Sequence, residues 1–166
     1  MILADLVAGD SVFVDSNILI YHFGPHPKFG APCTQMIQRI ENQEFQALAS
    51  THVLGEVVHQ LMIMEASQLP GWTGGNVKRR LQKRRGILRT LTRFRTALES
   101  LLQSRIQLLT MSPAVLGAVP SICQQYDLLI NDALIVGLMQ ANGLTKIASH
   151  DTDFDRVPGI TRYSPT

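Results

Sequence analysis

The stretch VFVDSNILIY, residues 12–21, joins a short apolar strand to an apolar helix through three polar residues. Residues 12–14 are β-branched or aromatic, a composition typical of a strand that is buried on both faces. Ser16 and Asn17 are common helix-capping residues, so a helix is predicted to start directly after the strand. Asp15 could simply cap this helix. It also puts a carboxylate at the carboxyl end of a buried strand, where functional groups of parallel α/β sheets gather.

Predicted strands and helices alternate along the rest of the chain. After the first strand, further strands are predicted at residues 45–49, 106–109, 146–149 and 160–163. The helices predicted between them include a long one over 77–103 and an apolar one over 132–140, which Asn131 is expected to cap. This alternation predicts a mostly parallel sheet of four to five strands that helices cover on both faces.

The bulk composition fits one domain that spans residues 1–166. Hydrophobic residues make up 45% of the chain and charged residues 17%, which argues against large disordered regions. No signal peptide is visible, and the apolar runs are too short to span a bilayer. Cys33 and Cys123 lie far apart and suit neither a metal site nor a disulfide framework. We therefore expect a cytoplasmic protein without a membrane association.

Five of the 13 acidic residues lie where predicted strands end or predicted helices begin. They are Asp15, Glu56, Asp132, Asp151 and Asp153. Each alone could be a cap, a turn residue, a charge favourable to a helix dipole or a solvent-exposed side chain. Together they would meet at one edge of a parallel sheet, where two carboxylates about 5 Å apart repel by roughly 3 kcal/mol. A cation such as Mg²⁺ or Mn²⁺ would neutralise them, and this chemistry suits phosphoester hydrolysis.

Four segments resemble the motifs of the PIN-domain ribonucleases. They are VFVDSNILIY, STHVLGEVVHQL, NDALIVGLMQANG and IASHDTDFDRVPGI, which occur in the family's order over nearly the whole chain. Compact single-domain members of this kind resemble the VapC-type toxins of bacterial toxin–antitoxin pairs. The resemblance implies a three-layer α/β/α sandwich and Mg²⁺- or Mn²⁺-dependent cleavage of RNA. It also implies a small cognate antitoxin and a homodimer.

The resemblance assigns roles to seven polar residues. The catalytic acids, which would also hold the metal, are Asp15, Glu56, Asp132 and Asp151. The supporting residues, which include one further acid, are Asn17, Ser149 and Asp153.

A basic segment departs from the compact family pattern. Residues 78–95 carry nine of the 15 basic residues and no acidic residue. They belong to a predicted basic helical extension around residues 72–100. On one continuous helix, Arg85, Arg89 and Arg93 would share a face, and the RNA backbone is the expected ligand. An acidic segment of the antitoxin and a merely solvated helix face are the alternatives.

Other functions compete with the ribonuclease. A phosphatase of the haloacid dehalogenase type also begins with a strand that ends in aspartate, but it needs a second aspartate where this chain has Asn17. A non-catalytic PIN-like module that only binds RNA or protein is a second alternative, although the four acids argue against it.

His52, Glu56 and His59 have spacings that could mimic a zinc site. Trp72 could either stack on a base or cover the core.

Overall fold

The computed structural model describes residues 1–72 and 76–166, apart from the side chain of Arg85. Within these residues the chain forms five strands and seven α-helices. The strands are Ser11–Val14 (β1), Gln46–Ser50 (β2), Gln107–Leu109 (β3), Lys146–Ala148 (β4) and Thr161–Tyr163 (β5). The helices are Ser16–Phe23 (α1), Gly30–Glu41 (α2), Thr51–Ser67 (α3), Val77–Lys83 (α4), Arg93–Gln103 (α5), Pro113–Tyr126 (α6) and Ile130–Ala141 (α7). Short 3₁₀ helices span Leu3–Asp5, Arg85–Arg89 and Thr152–Arg156.

The five strands form one parallel sheet in the order β3-β2-β1-β4-β5. The central strand β1 pairs with β2 and β4, so that Phe13 lies beside Leu48 on one side and Ile147 on the other. All three side chains are buried in the main core. A parallel central strand with helices on both sides has no face exposed to water, which explains why residues 12–14 are all apolar.

Helices cover both faces of this sheet. The connections from β1 to β2 and from β2 to β3 move in one direction, whereas the connection from β3 to β4 returns across the sheet. Because such crossovers are right-handed, α1–α5 lie on one face and α6 and α7 on the other. The contacts agree, since α3 packs on α1 and α5 while α6 packs on α7. The predicted three-layer α/β/α architecture is confirmed.

Side-chain caps start several helices close behind their strands. The Asp15 carboxylate accepts from the backbone N–H of Ser16 at the start of α1. Ser50 Oγ accepts from the backbone N–H of Val53 at the start of α3. These caps satisfy N–H groups that have no partner within the helix. As a result, the amino-terminal turns of α1 and α3 lie at the edge of the sheet where the strands end.

The prediction of one continuous helix over residues 77–103 is wrong. This segment consists of α4, the 3₁₀ helix Arg85–Arg89 and α5. The backbone leaves the helical region at Arg84, with φ −119° and ψ 61°, and again at Thr92, with φ −126° and ψ −30°. Arg85, Arg89 and Arg93 therefore do not lie in register on one helix. The predicted start of the helix at residue 132 is also wrong, because α7 begins at Ile130 and Leu129 rather than Asn131 precedes it.

A second, smaller core holds this broken segment against the end of α3. Its buried residues are Ala66, Trp72, Leu81 and Leu91. The Trp72 side chain is 5% exposed, so it covers this core and presents no face to a base. Glu65 of α3 joins the two parts, since its carboxylate accepts from the backbone N–H groups of Thr92 and Arg93 at 2.9 and 3.0 Å. The break in the helix is thus stabilised by packing and by a cap from a neighbouring helix.

In the described part of the chain, no helix is both long enough and apolar enough to cross a membrane.

Candidate active site and metal centre

Asp15 is the buried centre of the site, at the carboxyl end of the central strand. Its side chain is 6% exposed, yet both carboxylate oxygens have partners. Oδ1 accepts from the Ser16 backbone N–H at 2.6 Å, and Oδ2 accepts from Asn17 Nδ2 at 2.5 Å and from Ser149 Oγ at 2.6 Å. Three donors on one carboxylate compensate for much of its lost hydration and fix its orientation.

Asn17 and Ser149 connect the ends of β1 and β4. Ser149 Oγ accepts from Asn17 Nδ2 and from the backbone N–H of Asp151, both at 3.0 Å. Asn17 Oδ1 accepts from the backbone N–H of His150 at 3.0 Å. The segment that carries Asp151 is therefore held at a fixed position relative to Asp15. The family resemblance assigns both residues a supporting role, and these bonds place them between the Asp15 carboxylate and the backbone that follows β4.

Three carboxylates meet beside this network. Oxygen atoms of Asp132, Asp151 and Asp153 all lie within 4.8 Å of one another. Asp132 stands in the first turn of α7, while Asp151 starts the 3₁₀ helix Thr152–Arg156 and accepts from the backbone N–H of Asp153 at 2.9 Å. Such hard, negatively charged oxygens fit the requirements of Mg²⁺ or Mn²⁺. We refer to these three residues as the acidic triad.

The crowding of acids changes their protonation. The pKa of Asp15 is raised to about 6, mainly by burial and to a smaller extent by the charges of Glu56 and Asp132, against the opposing hydrogen bonds from Ser149 and Ser16. The pKa of Asp132 is also raised to about 6, first by burial and then by the charges of its acidic neighbours. The ionised forms of both carboxylates are therefore destabilised, and a bound cation would stabilise them.

Only some of the acids predicted from the sequence lie in the acidic triad. Asp132 and Asp151 lie in the acidic triad, and Asp153, which the sequence placed among the supporting residues, lies there with them. Asp15 and Glu56 lie outside the triad, although both are close enough for their charges to be felt within the site. Glu56 is exposed on α3. The geometry thus gives Asp153 a more central position, and Glu56 a more peripheral one, than the sequence suggested.

Arg156 is a neighbour of the site that was not predicted from the sequence. Its Nη2 lies 3.1 Å from Asp153 Oδ1, three residues earlier in the same 3₁₀ turn. This cation offsets part of the repulsion within the triad. The spacing of three residues between an acid and an arginine was the available signal.

The possible zinc site at His52, Glu56 and His59 finds no support. Among the described residues, the acidic triad is the only group of three potential ligand side chains close enough to hold one ion. His59 instead lines a cavity between α3 and α4 together with Lys78 and Gln82.

The raised pKa of Asp132 leads to a stability prediction for the metal-free protein. Because the folded-state pKa of about 6 lies above the ordinary value of 3.8, the folded state takes up protons that the unfolded state does not. Stability should therefore rise as the pH falls from about 7 to about 4. Asp132→Asn should raise stability at pH 7 by about 1 kcal/mol, a value reduced for the screening of this half-buried group.

Urea unfolding in EDTA at several pH values tests this expectation. The stability gained by Asp132→Asn should vanish near pH 4, because the Asp132 carboxyl group of the wild type is then neutral as well. The stability of the variant should still depend on pH to some extent, because Asp15 remains. Glu99→Gln is a control, because Glu99 is an exposed acid on another helix. Parallel stability curves for the wild type and Asp132→Asn would contradict the prediction.

Comparison with known proteins agrees with the motifs found in the sequence. The sequence model of the PIN domain matches residues 12–160. Ribonuclease VapC2 of Methanocaldococcus jannaschii is 30% identical over 148 residues, which cover 89% of each protein. The resemblance inferred from the four motifs is therefore confirmed.

Solved structures are similar in fold over most of the chain. The Mycobacterium tuberculosis toxin VapC20, described as cleaving the sarcin–ricin loop, matches with a TM-score of 0.58 and 14% identity, covering 87% of this chain and 92% of that one. VapBC2 of Rickettsia felis, bound to a promoter DNA fragment, matches with a TM-score of 0.56 and 17% identity, covering 93% and 98%. A toxin–antitoxin complex of Klebsiella pneumoniae matches with a TM-score of 0.53 and 21% identity, covering 90% and 95%.

Proposed function

Since this chain belongs to the PIN-domain family, we propose that it is a metal-dependent endoribonuclease and the toxin of a toxin–antitoxin pair. The observation that carries the proposal is the acidic triad, placed beside the buried Asp15 at the carboxyl edge of the sheet. Three converging carboxylates are unfavourable unless a cation or protons neutralise them. The relative named as a ribonuclease supports RNA as the substrate.

Mg²⁺ or Mn²⁺ is the proposed cofactor. Asp132, Asp151 and Asp153 would hold the ion, with Asp15 and Glu56 next to it as further acids. When bound, such a cation activates water and stabilises the negative charge that grows on a phosphate during hydrolysis. The donors around Asp15 keep its carboxylate oriented, and Arg156 limits the repulsion at Asp153. These contacts favour a site whose ligand positions are set before the ion arrives.

Incubation of the purified protein with total RNA tests the proposal. We expect cleavage with Mg²⁺ or Mn²⁺ and none with EDTA. Either cation should also raise the melting temperature of the wild type, because an ion that binds only the folded state stabilises it by mass action. Asp132→Asn should show a much smaller shift. Equal shifts in melting temperature for the wild type and Asp132→Asn would contradict a metal site that includes Asp132.

Two alternatives make different predictions in the same assay. A non-catalytic PIN-like module would bind RNA but leave it intact with every cation. A phosphatase of the haloacid dehalogenase type would need a carboxylate at position 17, whereas Asn17 donates its amide to Asp15 and Ser149. An acid at that position could not donate these bonds while ionised. The contacts of Asn17 therefore favour the nuclease over the phosphatase.

We also propose that the protein acts in the cytoplasm, forms a homodimer and is inhibited by a small cognate antitoxin. The solved toxin–antitoxin complexes with the same fold support the antitoxin as a partner. So do Leu129 and Ile130, whose side chains are 76% and 56% exposed just before Asp132. Two adjacent apolar side chains beside an acidic site suit a protein partner that covers the site.

The basic segment is the proposed contact for the RNA backbone, although not in the register that the sequence suggested. Eight of its basic side chains are exposed, and none of the eight forms an ion pair with an acid in the described residues. Outside residues 78–95, the chain carries six basic and all 13 acidic residues. RNA is a polyanion that the acids repel, and this segment carries nine of the 15 basic residues that could attract it.

A further inference from the structure

Four aromatic side chains form a cluster beside the active site, and none of them has a role among the acids or their supporting residues. They are Tyr21, His26, Phe29 and His150. His26 and Phe29 are stacked, with ring centroids 4.9 Å apart and an interplanar angle of 14°. Phe29 also meets the ring of His150 at 4.5 Å. The cluster joins α1, the loop before α2 and the segment after β4 in one aromatic surface.

This cluster lies next to the hydrogen-bond network that joins Asp15, Asn17 and Ser149. His150 lies between Ser149 and Asp151, and its backbone N–H donates to Asn17. Tyr21 is on α1, and its pKa is raised by burial, by the Cys33 thiol and by the charge of Asp15. A ligand that touches the aromatic rings is therefore next to the acids that would act on a phosphate.

Part of the aromatic surface is open to solvent and carries a cation. His150 is exposed, and Phe29 and His26 are half-buried. The exposed Lys28 places its Nζ 4.8 Å from the centroid of Phe29. A cation–π contact of an exposed lysine is weak, so a planar ring could replace the ammonium on that face. The lysine could then turn to a neighbouring phosphate.

We propose that Tyr21, His26, Phe29 and His150 form a nucleobase-stacking subsite, which positions the nucleotide next to the scissile phosphate while Lys28 contacts its backbone. This inference rests on the proposed ribonuclease function and adds a determinant of substrate choice. Stacking on aromatic faces is tolerant of base identity and is a common mode of single-strand binding. The subsite favours an unpaired nucleotide, because a base in a duplex does not expose its face.

Binding of oligoadenylate and of an abasic ribose-phosphate strand of equal length, both in EDTA to prevent cleavage, separates stacking from phosphate contacts. The wild type should bind oligoadenylate at least about fivefold more tightly than the abasic strand. Phe29→Leu keeps an apolar side chain but removes the aromatic face, and His150→Ala changes an exposed side chain while the backbone bond to Asn17 remains. Both variants should lose most of the preference and leave the affinity for the abasic strand unchanged.

Phe94→Leu makes the same chemical change outside the cluster and should keep the preference. Melting temperatures show whether each variant is folded. If Phe29→Leu is unfolded, the binding preference of His150→Ala tests the subsite. If RNA is cleaved with metal but both strands bind the wild type equally, or the variants keep the preference, the stacking subsite is refuted and the nuclease stands. If neither strand binds and no RNA is cleaved with any cation, the proposed function itself fails, and the subsite with it.

Discussion

Replacing Asp132 or Asp151 by asparagine is expected to lower metal-dependent RNA cleavage by more than about 100-fold. The expectation follows from their place in the acidic triad, because loss of an outer partner of a metal ligand already costs roughly 10- to 100-fold. Asp15→Asn should be similarly inactive. Glu56→Gln should have the smallest effect of the four, since this exposed side chain lies outside the triad.

Stability distinguishes the variants that lose activity. The amide of Asp132→Asn relieves repulsion, whereas an amide at position 15 meets an unsuitable partner in either orientation. Its nitrogen would face the N–H of Ser16 in one and Nδ2 of Asn17 in the other. A lost buried hydrogen bond costs about 1–3 kcal/mol, so Asp15→Asn should gain no stability and is expected to be less stable than Asp132→Asn.

Cleavage rates measured with saturating Mg²⁺, together with unfolding in EDTA, test this pair of expectations. Glu99→Gln replaces an exposed acid elsewhere and should keep wild-type activity. Full activity in Asp132→Asn and Asp151→Asn would mean that the triad is not catalytic. Unfolding of these variants would instead show that the acids are structural.

The sequence alone was sufficient to predict those strands and helix caps that depend on residues adjacent in the chain. Apolar runs located β1 and β4, and the polar residues behind them located the caps and the edge of the sheet where the acids meet. Repulsion between the acids alone would predict that every acid-to-amide change is neutral or stabilising, but hydrogen bonds to the carboxylates also matter. These bonds could not be predicted at Asp15, because one of its three donors, Ser149, lies 134 positions away in the chain.

The features that were missed depend on tertiary contacts. Leucines at helical spacing predicted one long helix over 77–103, but the chain instead turns back so that Leu81 and Leu91 share a core with Trp72 and Ala66. Glu65 stabilises the break from another helix, and no local pattern marks that contact. The aromatic cluster is also formed by distant parts of the chain, because the pairing of β4 with β1 places His150 next to Phe29.

The basic segment provides the second large effect that we expect, a change in the salt dependence of RNA binding. Arg80 donates to the backbone oxygen of Gly71 and Arg93 donates to Gln68, so these two arginines also serve the fold. Four other basic residues at α4 make no such contact with the described residues, and they are exposed. They are Lys78, Arg79, Lys83 and Arg84.

Of these four side chains, Lys78 lies next to the helix that carries Glu56. A cavity of about 350 Å³ between α3 and α4 is lined by His59 and Lys78. Glu56 precedes His59 by three residues on α3, a rise of about 4.5 Å. An RNA strand with one phosphate at the acids could thus place neighbouring phosphates on α4.

Replacing Lys78, Arg79, Lys83 and Arg84 together with glutamine should flatten the log–log salt slope of RNA binding by up to about 3, or roughly 0.7 for each phosphate of a single strand that the variant no longer neutralises. Glutamine has a helix propensity close to that of lysine and arginine, and Leu81 remains to pack in the second core, so the fold should be kept. Cleavage at saturating RNA should persist, because the acids are untouched. Arg105→Gln, which removes one exposed arginine elsewhere, should change the slope by less than about 0.7. An unchanged slope in the quadruple variant, with weaker binding of the antitoxin, would make this surface the docking site of the protein partner instead.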